Sequence, residues 1–293
     1  MAAVMGILSI QSHVAYGHVG NAAAVFALQR LGLEVWPVMT VQLSNHTGYG
    51  SWRGRSFEAE HVADLVRGLE EVGALADCQA VLSGYLGTAA VGEAVLAAVE
   101  RARRCNPAAF FVCDPVMGDH GRGLYVPEAV AAFMRDRAVP RARIVTPNLF
   151  ELEWLVGRPL DSDAAALAAA LELRQRGPEV VLVTSLRFAD REPESVSLLA
   201  VTGAGAWRIA TPWLALDPPA NGFGDLVAAL FLGHYLLAGE GPARVAAAAA
   251  KAASATFALV AATHRAGSRE LQLVAGQEAL VRPDRLFEAE RIG

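Results

Sequence analysis

Asp225 closes the stretch Pro218-Pro219-Ala220-Asn221-Gly222-Phe223-Gly224-Asp225, immediately ahead of the apolar run 226–239. Gly222 and Gly224 let the backbone turn tightly and approach a ligand with no Cβ in the way. The helix expected to follow aims its unpaired N–H groups and positive dipole end at that ligand, which makes an anion hole. A carboxylate there has two compatible readings. It is an N-cap, for which Asp is a preferred residue, or a general base beside a phosphoryl group in transfer.

Two further segments carry polar groups that could work with it. Asp114 lies in "CDPVMG", and Asn148 and Glu151 lie in "TPNLFELE". Hard oxygen ligands of this kind suit Mg²⁺ held largely through water and nucleotide phosphates. Asn148 followed three residues later by Glu151 also reads as a capping box at a helix start. His13, His18 and His46 form no metal-ligand spacing with one another and read, taken singly, as structural histidines with their hydrogen bonds satisfied.

Other nucleotide-binding devices are excluded. A P-loop needs G-x-x-x-x-G-K-[ST], and the one lysine, Lys251, stands inside an alanine-rich run. A dinucleotide fingerprint needs G-x-G-x-x-G between the first strand and helix, where only Gly17 and Gly20 occur. A net charge of -5 with interspersed signs gives no basic stripe for nucleic acid and no polybasic tail for a membrane. Cys78, Cys105 and Cys113 form no C-x-x-C pair, which argues against a disulfide framework or a zinc site and fits a reducing cytoplasm. The apolar opening 1–10 lacks a basic front and reads as a buried first strand. The segment 243–263 is long enough to span a bilayer but carries Arg244 and Lys251 and is mostly alanine, so it reads as a buried helix of a soluble protein.

The elements that must position these groups alternate. Strands are expected at 6–12, 34–41, 80–86, 109–116, 143–148 and 180–186. Helices are expected between them at 21–31, 60–73, 91–104, 127–137 and 163–177. Such alternation builds a mainly parallel sheet covered on both faces, an α/β/α sandwich. Residues 195–212 break the rhythm with two strand-like runs around a Gly-rich turn, an antiparallel hairpin at the sheet edge, after which only helices are expected. No composition step cuts the chain, so residues 1–293 read as one domain. Ligands bind beyond the carboxyl ends of parallel strands, which is where the polar segments fall.

Taken in order, "IQSHVAYGHVGNAAAVFALQRLG", "VWPVMTVQLSNHTGYG", "LSGYLG", "CDPVMGDHGRGLYVP", "TPNLFELEWL" and "NGFGD" resemble the pyridoxal kinases of the ribokinase-like superfamily over nearly the whole chain. The resemblance implies a ribokinase-like three-layer fold and ATP-dependent phosphorylation of the 5′-hydroxymethyl group of pyridoxal. Asp225 is then the general base and the Gly222–Gly224 turn the anion hole. The resemblance further assigns Ser12, Thr47 and Gly48 to the pyridine ring, with His46 and Tyr85 as weaker partners. It assigns Asp114, Thr146, Asn148, Glu151, Thr184, Ser185 and the strand Thr211, Pro212, Trp213 and Leu214 to ATP. Asp114 and Glu151 are the candidate Mg²⁺ ligands, a monovalent cation is a further candidate, and a homodimer is the implied assembly.

The Gly-rich loop 118–126 is a candidate flap over the site. Two departures stand out: some bacterial members carry a lysine in place of Thr184 and a glutamine in place of Gly48. The first removes a cation from the ATP phosphates, and the second opens the ring pocket. The alternatives are a kinase for a related heterocycle such as hydroxymethylpyrimidine, or a non-catalytic pyridoxal carrier or sensor.

Overall fold

The computed structural model describes residues 5–188, 194–241 and 243–293. Six strands run parallel: β1 (Gly6–Val14), β2 (Glu34–Leu43), β4 (Cys78–Ser83), β5 (Phe110–Cys113), β8 (Ile144–Val145) and β9 (Val180–Leu186). Antiparallel strands flank them: β3 (Gly54–Ser56) beside β2, and β10 (Ser195–Thr202), β11 (Gly205–Pro212) and β12 (Glu290–Arg291) beyond β9. The order is β12-β11-β10-β9-β8-β5-β4-β1-β2-β3. The chain winds one way from β1 to β2 and the other way from β4 onward, so β1 is the switch point where a crevice opens at the carboxyl ends.

Strict alternation sends the strand side chains to two cores. Ile7, Ala80, Leu82, Val112 and Leu182 face α1 (Asn21–Arg30), α7 (Phe223–Leu237), α8 (Arg244–Ala266) and α9 (Gln277–Val281). Leu8, Val81, Phe111, Cys113, Val181 and Val183 face α2 (Ala59–Glu71), α3 (Ala89–Cys105), α4 (Glu128–Phe133), α5 (Leu149–Val156) and α6 (Asp163–Gln175). Helix α8 is long and apolar enough to cross a membrane. Here it buries Ala248, Ala249, Ala252, Ala255 and Leu259 in the same core as α7.

The observed elements differ from the expected ones at places with local causes. The strand expected to 116 stops at Cys113, ahead of Pro115, which has no N–H to donate. The strand expected over 143–148 shrinks to Ile144–Val145, because Pro147 follows and Asn148 caps α5. The strand expected at 80–86 is shifted to Cys78–Ser83. The helix expected to 137 leaves α4 for a π turn at Met134–Ala138. Loop 118–126 contains a small antiparallel pair, β6 (Gly118–Asp119) with β7 (Gly123–Leu124). The final segment is not all helical, since β12 pairs with β11 at the sheet edge. Residues 1–4 of the expected first strand lie outside the described residues.

One buried polar network sets the start of α1. Asn21 accepts from Ser9 Oγ at 2.7 Å and donates to the carbonyls of Ser9, Gln11 and Val38, while Gln11 Nε2 donates to Ser9 Oγ. A helix start pinned to β1 and β2 in this way places Gly20, its N-cap, at the crevice.

Candidate active site

Gly222, not Asp225, is the N-cap of α7, so the capping reading of Asp225 is corrected: it is the third helical residue. The reason is conformational. Gly222 has φ +91, a left-handed value that favours glycine, and a Cβ there would overlap the carbonyl oxygen of His18. Beyond that turn, the first-turn N–H groups of α7 precede any intrahelical acceptor. A Cβ on Gly224 would meet nothing within 4 Å, so the backbone is open to a ligand on that side.

The backbone N–H groups of Gly20 and of Asp225 itself lie near the Asp225 carboxylate and favour its charged form. It therefore sits between the N-termini of α1 and α7, whose dipoles favour an anion. Burial outweighs these backbone dipoles and pushes its pKa up to about 6. Gly20 in turn lies against Ser12, whose Oγ and carbonyl a Cβ at position 20 would strike. The structure thus brings Ser12 and Asp225 to one spot through Gly20, a residue that sequence reasoning did not single out. The fact that Gly20 precedes a buried Asn at a helix start was its available signal.

Asp114 and Glu151 form the adjoining wall. Asp114, 5% exposed, accepts from Thr146 Oγ1 at 2.8 Å. Burial and then the neighbouring Asp225 push its pKa up to about 8. Glu151, 3% exposed, lies close enough to feel Asp114, and burial raises its pKa well above the usual carboxylate range. Its capping box is formed: Asn148 Oδ1 accepts from Glu151 N at 2.9 Å and Glu151 Oε2 accepts from Asn148 N at 2.9 Å. The other oxygen accepts from Met117 N at 3.0 Å, so Glu151 ties α5 to the loop after β5. Tyr125, from the hairpin loop, is 44% exposed, yet burial of its hydroxyl followed by the charges of Glu151, Asp225 and Asp114 shifts its ionisation upward. No group of three or more His, Cys, Asp or Glu arranged to hold a metal occurs among the described residues.

The ring-side candidates occupy the turn after β2. Thr47–Tyr49 is a 3₁₀ turn capped by His46, whose Nδ1 accepts from Gly48 N at 3.0 Å. Burial and then Arg122 lower the pKa of His46. A Cβ on Gly48 would crowd the His46 ring, 2.9 Å from Nδ1 and 3.2 Å from Cε1, with Asn221 Nδ2 beyond at 3.8 Å. Arg122, from the hairpin loop, donates to Asn221 Oδ1 at 3.3 Å, so the expected flap reaches the α7 turn. Tyr85 follows β4 by two residues, half-buried, where its carbonyl accepts from Thr40 Oγ1 at 2.6 Å. His46 is satisfied, as expected, but His13 Nδ1 is buried with no hydrogen-bond partner among the described residues, against expectation.

Among the nucleotide-side candidates, Thr184 bridges Asn148 and donates its N–H to Pro147 O at 2.8 Å, which joins it to the acid wall. Ser185 is exposed with φ +55, where β9 bulges against β10 between Val183 and Leu186. Strain of this kind in a non-glycine residue gathers at ligand sites. Thr211 to Leu214 lie two strands further on. Thr211 bonds Val196 O and Arg187 stacks on the exposed Trp213 ring at 4.6 Å, so these residues are held apart from the acids.

The chain is similar to known proteins over almost all of its length. The family model for phosphomethylpyrimidine kinase matches residues 35–267. "Pyridoxal kinase PdxY" of Deinococcus radiodurans is 53% identical over 290 residues, covering 98% of this chain and 96% of that protein. The protein of the same name from Rubrobacter xylanophilus is 54% identical over 289 residues, covering 98% of each. Among solved structures, the pyridoxal kinase of Leishmania donovani in complex with ADP and pyridoxine superposes with a TM-score of 0.89 at 31% identity, over 99% of both chains. The fold is the ribokinase-like sandwich.

Proposed function

This chain belongs to the pyridoxal kinase family, and on that premise we propose that it transfers the γ-phosphoryl group of ATP to the 5′-hydroxymethyl group of pyridoxal, giving pyridoxal 5′-phosphate and ADP. The observation that carries the mechanism is the Asp225 carboxylate, held between two helix N-termini beside an open glycine turn. Asp225 takes the proton of the attacking hydroxyl. A folded pKa of about 6 leaves it ionised at neutral pH yet able to accept that proton. The N–H groups at Gly222 to Gly224 neutralise charge gathering on the transferred group, in a reaction governed by positioning and electrostatics. Ser12, Thr47 and Gly48 hold the ring, with His46 and Tyr85 at its margin. Thr146, Asn148, Thr184 and Ser185 face the phosphates and Thr211 to Leu214 flank the adenine.

Asp114 and Glu151 fit a Mg²⁺ site. Both are buried acids with raised pKa values, Asp114 through burial and then Asp225, Glu151 through burial and then Asp114, and no lysine or arginine is bonded to either among the described residues. Two carboxylates plus water and phosphate oxygens satisfy this ion. When bound, it supplies charge neutralisation between the phosphates. Asp114→Asn is expected to raise the Mg²⁺ concentration for half-maximal velocity by on the order of tenfold. A magnesium dependence identical to wild type would remove Asp114 from the site.

The acid limb of the pH profile follows from Asp225. The logarithm of kcat/KM is expected to fall with unit slope below about pH 6. A profile flat down to pH 5 would mean that another group accepts the proton. The unpaired Cys78, Cys105 and Cys113 support a cytoplasmic setting, and the family resemblance supports a homodimer, which sedimentation would test.

Substrate choice is tested by assaying pyridoxal, pyridoxine, pyridoxamine and hydroxymethylpyrimidine side by side with ATP and Mg²⁺. The pyrimidine is the second reading, favoured by the name of the matching family model. Pyridoxal is expected to give the highest kcat/KM. Turnover of the pyrimidine alone would keep the mechanism and overturn the substrate. Binding of pyridoxal without turnover would point to a carrier.

A further inference from the structure

Beyond α8 the chain turns at Gly267 and crosses the mouth of the crevice as Ser268, Arg269 and Glu270. Glu270 holds two loops at once. Its Oε1 accepts from Tyr49 Oη at 2.7 Å and its Oε2 accepts from His18 N at 3.2 Å. Gly17 leaves the room for this, since a Cβ there would overlap the Glu270 carboxylate. Arg269 donates to Gly48 O and its guanidinium lies 4.2 Å from the Tyr49 ring centroid. The strap is itself braced, with Glu270 N donating to Ser268 Oγ at 3.0 Å, Ser268 Oγ and Gln272 Nε2 donating to Glu270 O, and Gln272 N donating to Thr263 Oγ1.

Each of the two loops ends at a different half of the site. The His18 carbonyl is the group packed against Gly222, and the next strap residue, Leu271, would stand 3.2 Å from a Cβ there. Tyr49 closes the turn that carries Thr47 and Gly48, and that turn has no buried residue of its own. Its position therefore depends on polar ties more than on packing.

We propose that Glu270, with Arg269, is a positioning residue that sets the ring-binding turn at Thr47–Gly48 in register with the phosphoryl-transfer turn at Gly222. The proposal rests on the assignment of Thr47 and Gly48 to the acceptor ring. It names a device of acceptor recognition, because the bonds of Arg269 and Glu270 go to the Thr47–Tyr49 turn and to His18. Truncating Glu270 frees two loops from each other while the strands and helices beneath keep their cores. A displacement of about 1 Å between reacting groups costs up to 10²-fold in rate.

The test compares wild type with Glu270→Ala, Glu270→Gln, Tyr49→Phe and the Tyr49→Phe/Glu270→Ala pair. The acceptor used is whichever of the four heterocycles wild type turns over best. A wrong vitamer assignment then shows in wild type, and a wrong role for Glu270 shows only in the variants. For Glu270→Ala, acceptor KM is expected to rise by on the order of tenfold and kcat to fall by a similar factor, with KM for ATP within twofold. Glu270→Gln keeps one acceptor oxygen and should recover part of the loss, and the double variant should lose less than the product of the single effects. Unchanged acceptor kinetics in Glu270→Ala would overturn the proposal. So would equal losses for acceptor and ATP together with a lowered Tm, which would mark Glu270 as a general structural brace.

Discussion

Replacing Asp225 with Asn is expected to cut kcat by on the order of 10²–10⁴ while ATP binding stays close to wild type, because the proton acceptor is lost and the anion hole is not. The same substitution should improve the stability of the ligand-free protein at neutral pH relative to acid. Burial raises the folded pKa of Asp225 to about 6 from a reference of 3.8. The folded state thus holds a proton that the unfolded state has released. The associated stability is present below about pH 4 and is lost as pH rises through about 6. Asn does not titrate. The stability difference between variant and wild type should therefore shift in favour of Asn by about 1–3 kcal/mol between pH 4 and pH 8, the upper figure being two pKa units and the lower allowing for solvent at the open mouth. Chemical denaturation at both pH values reads this shift. Turnover within a few-fold of wild type would make Asp225 a bystander.

The second large effect separates two glycines that look alike in the sequence. Gly222→Ala forces a side chain into a left-handed backbone at φ +91 and onto the His18 carbonyl. A loss of about 2–4 kcal/mol in stability is expected, from the conformational cost and the overlap together, and activity should fall with it. Gly224→Ala meets no protein atom within 4 Å and replaces a helical glycine, so Tm should hold or rise slightly. On the proposed mechanism its methyl nonetheless stands where the phosphoryl group is to pass. We expect a loss in kcat on the order of 10²-fold, the scale for losing one donor of such a hole. A Gly224→Ala enzyme with full activity would place the phosphoryl group elsewhere.

The layered fold was readable because the central strands are uninterrupted apolar runs and the helices between them have apolar residues at helical spacing. The edges were not. Strand β3, Gly-Arg-Ser, is three exposed residues with no apolar pattern, and β12, Glu-Arg, is two. Both exist only because a neighbouring strand offers a free edge. In the site, the capping box at Asn148 and Glu151 was legible because it is a local pattern with a fixed offset. The position of Asp225 in its helix was not, since spacing does not tell a glycine cap at positive φ from an aspartate cap. The contacts of Asp225 with Gly20 and of Glu270 with His18 and Tyr49 join distant parts of the chain, and no local pattern announces them.

The departures from the family pattern take on physical content in the structure. Thr184 supplies no charge, and the exposed Ser185 beside it holds a strained backbone at the same strand end. A side chain at Gly48 would first press on the His46 ring, 2.9 Å from its Nδ1, with Asn221 next at 3.8 Å. Gly48→Gln is therefore expected to change the ratios among the B6 vitamers more than it changes KM for ATP, and unaltered ratios would take position 48 off the ring wall.

The most direct measurement follows the γ-phosphoryl group itself. With γ-labelled ATP, Mg²⁺ and pyridoxal, the purified protein should place the label in pyridoxal 5′-phosphate in equal amount to the ADP formed, and the Asp225→Asn protein should do so at least a hundredfold more slowly. ADP formation with no label in the pyridoxal product, or equal rates in the two proteins, would contradict phosphoryl transfer by this carboxylate.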